Sequence, residues 1–285
     1  MTREYWVPVT LIGLLLLIAP NSIGWAQKRE LTLRQIKQAV KENPHDPHVH
    51  YILGLKYEID GNSQKALQAY QQALNLKGDY PAALFRLGAI KGEQGDWDEA
   101  VKALKKAIQL RPNYPDAKVT LGAVYRQMGL TLLEQGQWAE AQRGLQNAIE
   151  NNPNDDAAFN NLGVAYGKQN DWDLAIETFQ AAIQVNPGNV EAHYNLGTIL
   201  LLSGDKTGAL IQYRNLVYLN SNLASNLFDK MSFPKGQGPY ETPQWGATEL
   251  KPSALRMPTP AETIPSIIDA IEESLPSSSM PSSSQ

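Results

Sequence analysis

The stretch FNNLGVAYGKQNDWDLAIETFQAAIQVNP, residues 159–187, contains the pattern that decides the fold of this 285-residue chain. Its Leu162-Gly163 pair has four counterparts, at Leu53-Gly54, Leu87-Gly88, Leu121-Gly122 and Leu196-Gly197. Successive glycines of these pairs are separated by 34, 34, 41 and 34 positions. Because one helix-turn-helix unit has a length of about 34 residues, the chain is predicted to stack such units into a solenoid.

The residues around each pair predict two helices that cross closely. In residues 159–187, Ala175 comes 12 positions after Gly163, and Phe179 follows four positions later. Small residues let two helix backbones approach, and the larger apolar residues fill the space beside them at helical spacing. Asn170 marks the turn, and Pro187 ends the second helix.

This pattern resembles that of the tetratricopeptide repeat family, Trp-x2-Leu-Gly-x2-Tyr…Ala-x3-Phe…Pro. The fourth unit matches it best, through Phe159, Leu162-Gly163, Tyr166, Ala175, Phe179 and Pro187. The resemblance implies an all-α, right-handed α-solenoid whose first helices line a concave face that binds a peptide or protein. The expected units are residues 47–80, 81–114, 115–155, 156–189 and 190–222. A capping half-repeat at 27–46 and a short capping segment at 223–230 would flank them.

The third unit is longer than the others. Ala141 comes 19 positions after Gly122, whereas the equivalent spacing in the other units is 12 positions. Seven added residues make nearly two helical turns and carry Leu130, Leu132 and Leu133. These leucines should project beyond the neighbouring units, and a lengthened helix that covers its own leucines is the favoured interpretation. The alternative is a protruding apolar contact for a partner or for a second copy of the chain.

The resemblance also selects residues for the concave groove, namely Tyr51, Phe85, Arg86, Arg126, Asn161, Tyr194 and Asn195. Asn161 and Asn195 each stand two residues before the glycine of their unit. An asparagine amide both donates to and accepts from a peptide backbone, although a merely solvated role is the alternative. Arg86 and Arg126 could pair with an acidic group of the ligand or remain solvated.

Composition and motifs favour neither catalysis nor binding of metal or nucleic acid. The chain has no cysteine, which excludes thiolate sites, and its net charge of -4 offers nucleic acid no basic surface. His45, His48 and His50 form a triplet that Pro47 interrupts, so cap and packing roles are favoured over zinc or copper. No phosphate-binding loop or nucleophile motif occurs. We therefore expect no catalytic residue, no metal and no cofactor.

Both ends of the sequence differ from the repeats. Residues 1–26 have the features of a signal peptide, with a 13-residue apolar run from Val7 to Ala19 and small residues at Gly24 and Ala26. This run is shorter than the about 20 residues that span a bilayer, so no stable membrane insertion is expected after cleavage. The alternative is an uncleaved N-terminal anchor. Residues 231–285 are rich in proline and serine and are predicted to be disordered, except for an amphipathic helix at 263–275.

These observations predict an exported, non-catalytic scaffold or adaptor that holds a peptide segment or protein partner in its concave groove. The expected location is a bacterial periplasm or an equivalent lumen. Two alternatives remain: an envelope complex assembly factor that acts through the third unit, and a regulatory subunit of an enzyme.

Overall fold

The computed structural model describes residues 31–232, and all regular structure in this part of the chain is α-helical. The helices are α1 (Leu33–Glu42), α2 (Pro47–Ile59), α3 (Ser63–Leu76), α4 (Pro81–Glu93), α5 (Trp97–Leu110), α6 (Pro115–Glu134), α7 (Trp138–Asn151), α8 (Asp156–Lys168), α9 (Trp172–Val185), α10 (Val190–Ser203), α11 (Lys206–Tyr218) and α12 (Leu223–Ser232). The predicted signal peptide and the predicted tail helix lie outside the described residues.

The helices form a stack of antiparallel pairs, which confirms the predicted all-α solenoid. In each pair a first helix (α2, α4, α6, α8 or α10) packs on the second helix that follows it. The first helices α4, α6, α8 and α10 also contact one another across units. These contacts place the first helices on the inner side of the curve, and the second helices form the outer side. Helix α1 packs on α2 at one end, and α12 packs on α10 and α11 at the other.

Close crossings of the first and second helices depend on glycine in the second and fourth units. A Cβ on Gly88 would lie 2.7 Å from Leu104 Cγ, and one on Gly163 would lie 2.7 Å from Phe179 Cδ1. In both cases the contacted residue comes 16 positions after the glycine. Leu104 and Phe179 are fully buried, so neither side chain has room to move aside. The glycine therefore fixes where the second helix crosses the first.

In the third unit, Gly129 and not Gly122 occupies this crossing position. A Cβ on Gly129 would lie 2.7 Å from Cγ of Leu145, which again comes 16 positions later. Gly122 lies one 34-position period after Gly88, whereas Gly129 lies one such period before Gly163. Helix α6 thus carries both repeat registers, and everything after it is displaced by two turns.

This displacement, which we call the step, arises entirely within α6. Helix α6 has 20 residues, whereas the first helices α4 and α8 have 13 each. Seven residues at 1.5 Å per residue correspond to about 10 Å along the helix. Because seven residues fall only about 20° short of two full turns, both halves of α6 keep their apolar side toward the stack.

The prediction that the leucines of the third unit project beyond their neighbours is wrong. Leu130 and Leu133 are buried in a cluster with Leu145 and Leu162, and the half-buried Leu132 packs against it. Since α7 and α8 follow the register of Gly129, they cover this end of α6. The structure matches the favoured interpretation, a lengthened helix that covers its own leucines.

Candidate binding face

All seven residues predicted for the groove lie on first helices, but each is at most 8% exposed. Their side chains pack between successive units instead of standing open on the inner face. Three of them contact a residue 29 positions later, just before or at the start of the next first helix. We call this line of inter-unit contacts the seam, and its chemistry changes along the stack.

The seam is aromatic in the first two units. The rings of Tyr51 and Tyr80 lie 5.1 Å apart, and those of Phe85 and Tyr114 lie 5.2 Å apart. Tyr80 Oη lies 3.0 Å from His48 Nδ1, which extends the cluster. Aromatic pairs at these centroid distances add stabilisation beyond their buried area. The seam therefore holds the first three first helices together.

The third unit replaces the aromatic pair by a buried ion pair. Arg126 Nε donates to Asp155 Oδ2 over 2.8 Å, and both side chains are largely buried. Asp155 also accepts a hydrogen bond from the Ala158 amide and so caps α8. Arg126 NH1 is buried without a hydrogen-bond partner among residues 31–232. The sequence predicts an acidic group of the ligand, or solvent, as the partner of Arg126. For Arg126 Nε, the partner is Asp155 of the same chain.

Arg86 is also paired within the protein. Its NH1 lies 3.4 Å from Glu58 Oε1, and Tyr70 Oη donates to Glu58 Oε2 over 2.5 Å. Burial raises the pKa of Glu58, while the charge of Arg86 and the hydrogen bond from Tyr70 oppose the increase. Arg86 consequently neutralises a buried carboxylate.

Amide groups replace charges toward the C-terminal end of the seam. Asn195 Nδ2 donates over 2.9 Å to Oδ1 of Asn160, a residue outside the set predicted for the groove. Asn160, Asn161 and Asn195 are fully buried or nearly so. At the end of the stack, Lys230 of α12 lies over the ring of Tyr194, with Nζ 4.7 Å from the centroid.

A row of hydrogen-bonding side chains runs beside the seam, one from each of four first helices. It consists of Arg86, Gln127, Asn161 and Asn195, each two residues before its crossing glycine. We call this set the polar row. Gln127 was not predicted for the groove because the third unit was counted from Gly122. Gln127 can be found in the sequence, since it lies one repeat period, 34 positions, before Asn161. Gln127 Oε1 is buried and has no hydrogen-bond partner in the part of the chain that is described.

At the step, an apolar side chain of a first helix is exposed on the inner face. Val119 lies one repeat period after Phe85, but it is 49% exposed because the next unit is displaced away from it. Val119, Ala123, Arg126 and Gln127 recur at helical spacing along one side of α6. We call these four residues the step face. It combines an exposed apolar end with a polar end.

Two histidines of the triplet, His48 and His50, take structural roles. Besides the contact of His48 with Tyr80, His50 Nε2 lies 2.9 Å from the Pro44 carbonyl oxygen. Within residues 31–232, no three histidine, cysteine or acidic side chains come together as a set of metal ligands. The same residues contain no helix with the length and apolar character needed to cross a membrane.

Three family matches cover most of the helical stack. The family described as cytochrome c-type biogenesis protein H TPR domain matches residues 77–193. Two families described as tetratricopeptide repeat match residues 28–83 and 178–211. The chain is a tetratricopeptide-repeat protein. A comparison with curated proteins gives no significant match.

Solved structures with the same fold include YrrB, described as a TPR protein with an unusual peptide-binding site. It is 23% identical to this tetratricopeptide-repeat protein, with a TM-score of 0.51, and the match covers 70% of this chain and 100% of YrrB. PilF of Pseudomonas aeruginosa is 18% identical, with a TM-score of 0.49 and coverage of 69% and 87%. MamA of Desulfovibrio magneticus RS-1 is 22% identical, with a TM-score of 0.43 and coverage of 66% and 94%.

Proposed function

We propose that this tetratricopeptide-repeat protein is an exported, non-catalytic scaffold that binds a peptide segment of a partner along its inner face. The observation that carries the proposal is the polar row beside the step face. Gln127 Oε1 and Arg126 NH1 supply an acceptor and a donor that have no hydrogen-bond partner among the described residues. Both atoms are buried in the chain without a ligand, so binding requires the two side chains to turn toward the inner face. Leaving buried polar groups unpaired costs about 1–3 kcal/mol each, so a ligand that pairs them in this way gains affinity.

The step face fits an extended peptide with one apolar side chain. Val119 provides the exposed apolar contact, and Arg126 lies seven residues further along the same side of α6. This separation is about 10 Å, which an extended backbone spans with about three residues. A peptide that packs on Val119 therefore brings a carbonyl oxygen and an amide near Arg126 and Gln127. YrrB is described as having a peptide-binding site, which makes peptides the first ligands to test.

The test is selection of peptides from a displayed library against the full chain, followed by affinity measurement with single variants. We expect Val119→Asp and Gln127→Leu each to weaken binding at least about tenfold, since each removes one contact worth about 1.4 kcal/mol or more. The matched control is Lys102→Ala on α5, an exposed residue of the outer side, which should bind like the wild type.

A double variant, Asn161→Ala with Asn195→Ala, tests the far end of the polar row. Both side chains are buried, so circular dichroism must first show that the variant keeps its helical content. Peptides that bind wild type, Val119→Asp, Gln127→Leu and the double variant equally would overturn the inner face as the binding site.

Assembly of an envelope complex is the second candidate function. The match to the cytochrome c-type biogenesis protein H TPR domain over residues 77–193, which includes the step, favours it. Because Leu130 and Leu133 are buried, such an assembly factor would act through the step face instead. A deletion strain should then lose mature c-type cytochromes, measured by haem staining. The wild-type gene should restore them and Val119→Asp should not; unchanged cytochrome levels in the deletion strain would contradict this function.

Export can be tested separately by intact mass and cell fractionation. Cleavage after Ala26 would leave Gln27 as the first residue of a periplasmic protein. A full-length mass in the membrane fraction would instead support the uncleaved anchor.

A further inference from the structure

The outward side of α11 carries an exposed apolar stripe. Leu210, Ile211, Val217 and Tyr218 are 45%, 52%, 53% and 89% exposed. Their spacing places them on one side of the helix, with the exposed Arg214 between them. We call these five residues the α11 stripe. Clustered exposed apolar residues of this kind mark binding surfaces more often than scattered ones do.

Two of these positions carry polar residues in all four of the preceding second helices. At the position of Ile211 the preceding second helices carry Gln68, Lys102, Arg143 and Glu177. At the position of Tyr218 they carry Asn75, Gln109, Glu150 and Gln184. None of the eight is buried, as expected for an outer side that faces water. The apolar residues at 211 and 218 therefore do not follow from the repeat and require another explanation.

The other two apolar positions are ones that a following unit normally covers. Val217 corresponds to Leu74, Ile108, Ile149 and Ile183, all of which are half-buried. Helix α12 follows α11 in place of a sixth unit, and Val217 and Leu210 stay exposed. The α11 stripe is thus an uncovered packing surface that two additional apolar residues widen.

We propose that residues 263–275 of the same chain, the tail segment, bind the α11 stripe as an amphipathic helix. Ile264, Ile267, Ile268, Ile271 and Leu275 recur at helical spacing and supply an apolar side. The segment also contains Asp269, Glu272 and Glu273 and no basic residue. Helix α11 contains Lys206 and Arg214 and no acidic residue. The tail segment and α11 therefore each have an apolar side, and their charges are opposite.

The tether is long enough for this contact. About 30 residues separate the end of α12 from the tail segment, and a random chain of that length has an end-to-end distance of about 30 Å. Helix α11, with 13 residues, is about 20 Å long and packs directly on α12. Tethering of this kind gives an effective concentration in the millimolar range. A lone helix of this length is marginal in water, so docking on α11 supplies the stability that it lacks.

Charge also argues against a second copy of the protein as the occupant. Two α11 stripes facing each other would bring Lys206 and Arg214 of one chain toward the same basic residues of the other. The tail segment brings carboxylates instead. The contact lies on the outer side, so it neither depends on the proposed peptide site nor blocks it.

The absence of cysteine makes a direct test straightforward. Spin labels are attached to the full chain at Thr207→Cys, on α11, and Ser266→Cys, on the polar side of the tail segment. Electron-electron double resonance then measures the distance between them. We expect one narrow distribution below about 30 Å, because a helix docked along α11 cannot extend far beyond the about 20 Å length of α11.

The deciding variant is Ile211→Glu with Tyr218→Glu, and the matched control is Lys102→Glu with Gln109→Glu at the equivalent positions of α5. All four residues are exposed, so both variants should keep the wild-type helical content. The distribution should broaden in the α11 variant and stay narrow in the α5 control.

Three results would overturn the proposal. A broad distribution in the wild type would show that the tail segment is not docked. A narrow distribution that survives Ile211→Glu with Tyr218→Glu would place it elsewhere. A short distance between singly labelled α11 and tail chains that appears on mixing and grows with concentration would identify a second copy as the occupant.

Discussion

At the scale of single residues, replacing Gly129 or Gly144 by alanine should change the free energy of unfolding in opposite directions. A Cβ on Gly129 would lie 2.7 Å from the buried Leu145, whereas one on Gly144 would lie 3.5 Å from Gly129 Cα. Overpacking costs about 1–3 kcal/mol, and replacing glycine by alanine within a helix gains up to about 1 kcal/mol. Gly129→Ala should therefore lower the free energy of unfolding in urea, and Gly144→Ala should raise it. Equal destabilisation by both would contradict the crossing geometry.

The ion pair of the seam predicts a strong dependence on both partners. Asp155→Ala leaves Arg126 buried without a counter-charge and should cost about 3–5 kcal/mol of unfolding free energy. Arg126→Phe with Asp155→Tyr recreates the Phe85 and Tyr114 pair, and should cost less than Asp155→Ala alone. The control is Arg143→Ala, which breaks an exposed pair with Glu140 and should cost below about 1 kcal/mol. A double variant less stable than Asp155→Ala would show that the two seam chemistries are not interchangeable.

His48 gives the seam a pH dependence. Burial lowers the pKa of His48 below its ordinary 6.5, with Asp46 opposing this change and Lys77 adding to it. Since the folded state favours the neutral ring, stability should fall as the pH drops through 6.5. Comparison with His48→Gln isolates this effect from the other histidines. The free energy of unfolding of the wild type minus that of His48→Gln should be constant well above pH 6.5. This difference should decrease as the pH falls below 6.5.

Burial of the predicted groove residues is the part of the site that sequence could not supply. The sequence correctly places Tyr51, Phe85 and Arg126 on the first helices. Helical spacing within one unit is enough to decide which helix a residue belongs to. Their exposure depends on a side chain 29 positions later in the next unit, and thus on how two units dock. The recurrence of this offset is visible in the sequence only once the contact is known.

At the scale of elements, helices and their order follow from the sequence because each is determined within one unit. The register of the third unit was misassigned because Leu121-Gly122 fits the motif when counted from the second unit. Counting 12 positions back from Ala141 leads to Gly129 instead, which is the spacing of the other units. Helix α6 contains both glycines, Gly122 and Gly129. A repeat pattern that has one such glycine in each unit therefore cannot describe the third unit.

The step predicts that seven residues can be removed from α6 without loss of the fold. Deletion of residues 119–125 leaves Pro115 seven positions before Gly129, as Pro81 stands before Gly88, and keeps Arg126. This variant should unfold cooperatively with nearly wild-type helicity, measured by circular dichroism, but it should lose peptides that require Val119. Deletion of only residues 119–123 rotates the rest of α6 by about 140° and should prevent folding. Equal behaviour of the two deletions would contradict the role of helical phase.

At the scale of the whole molecule, α6 is the connection between two blocks in different registers. Units of a solenoid interact with their nearest neighbours, so cooperativity between α2–α5 and α7–α11 passes through α6. Proline at position 123 would remove a backbone hydrogen bond in mid-helix and cost about 3 kcal/mol at this connection. Ala123→Pro should therefore split one unfolding transition into two, with hydrogen exchange in α2–α5 and in α7–α11 changing at different denaturant concentrations. Val190→Pro is the control, because the first position of α10 accepts proline as those of α2, α4 and α6 do. A single transition in Ala123→Pro would mean that contacts outside α6 couple the two blocks.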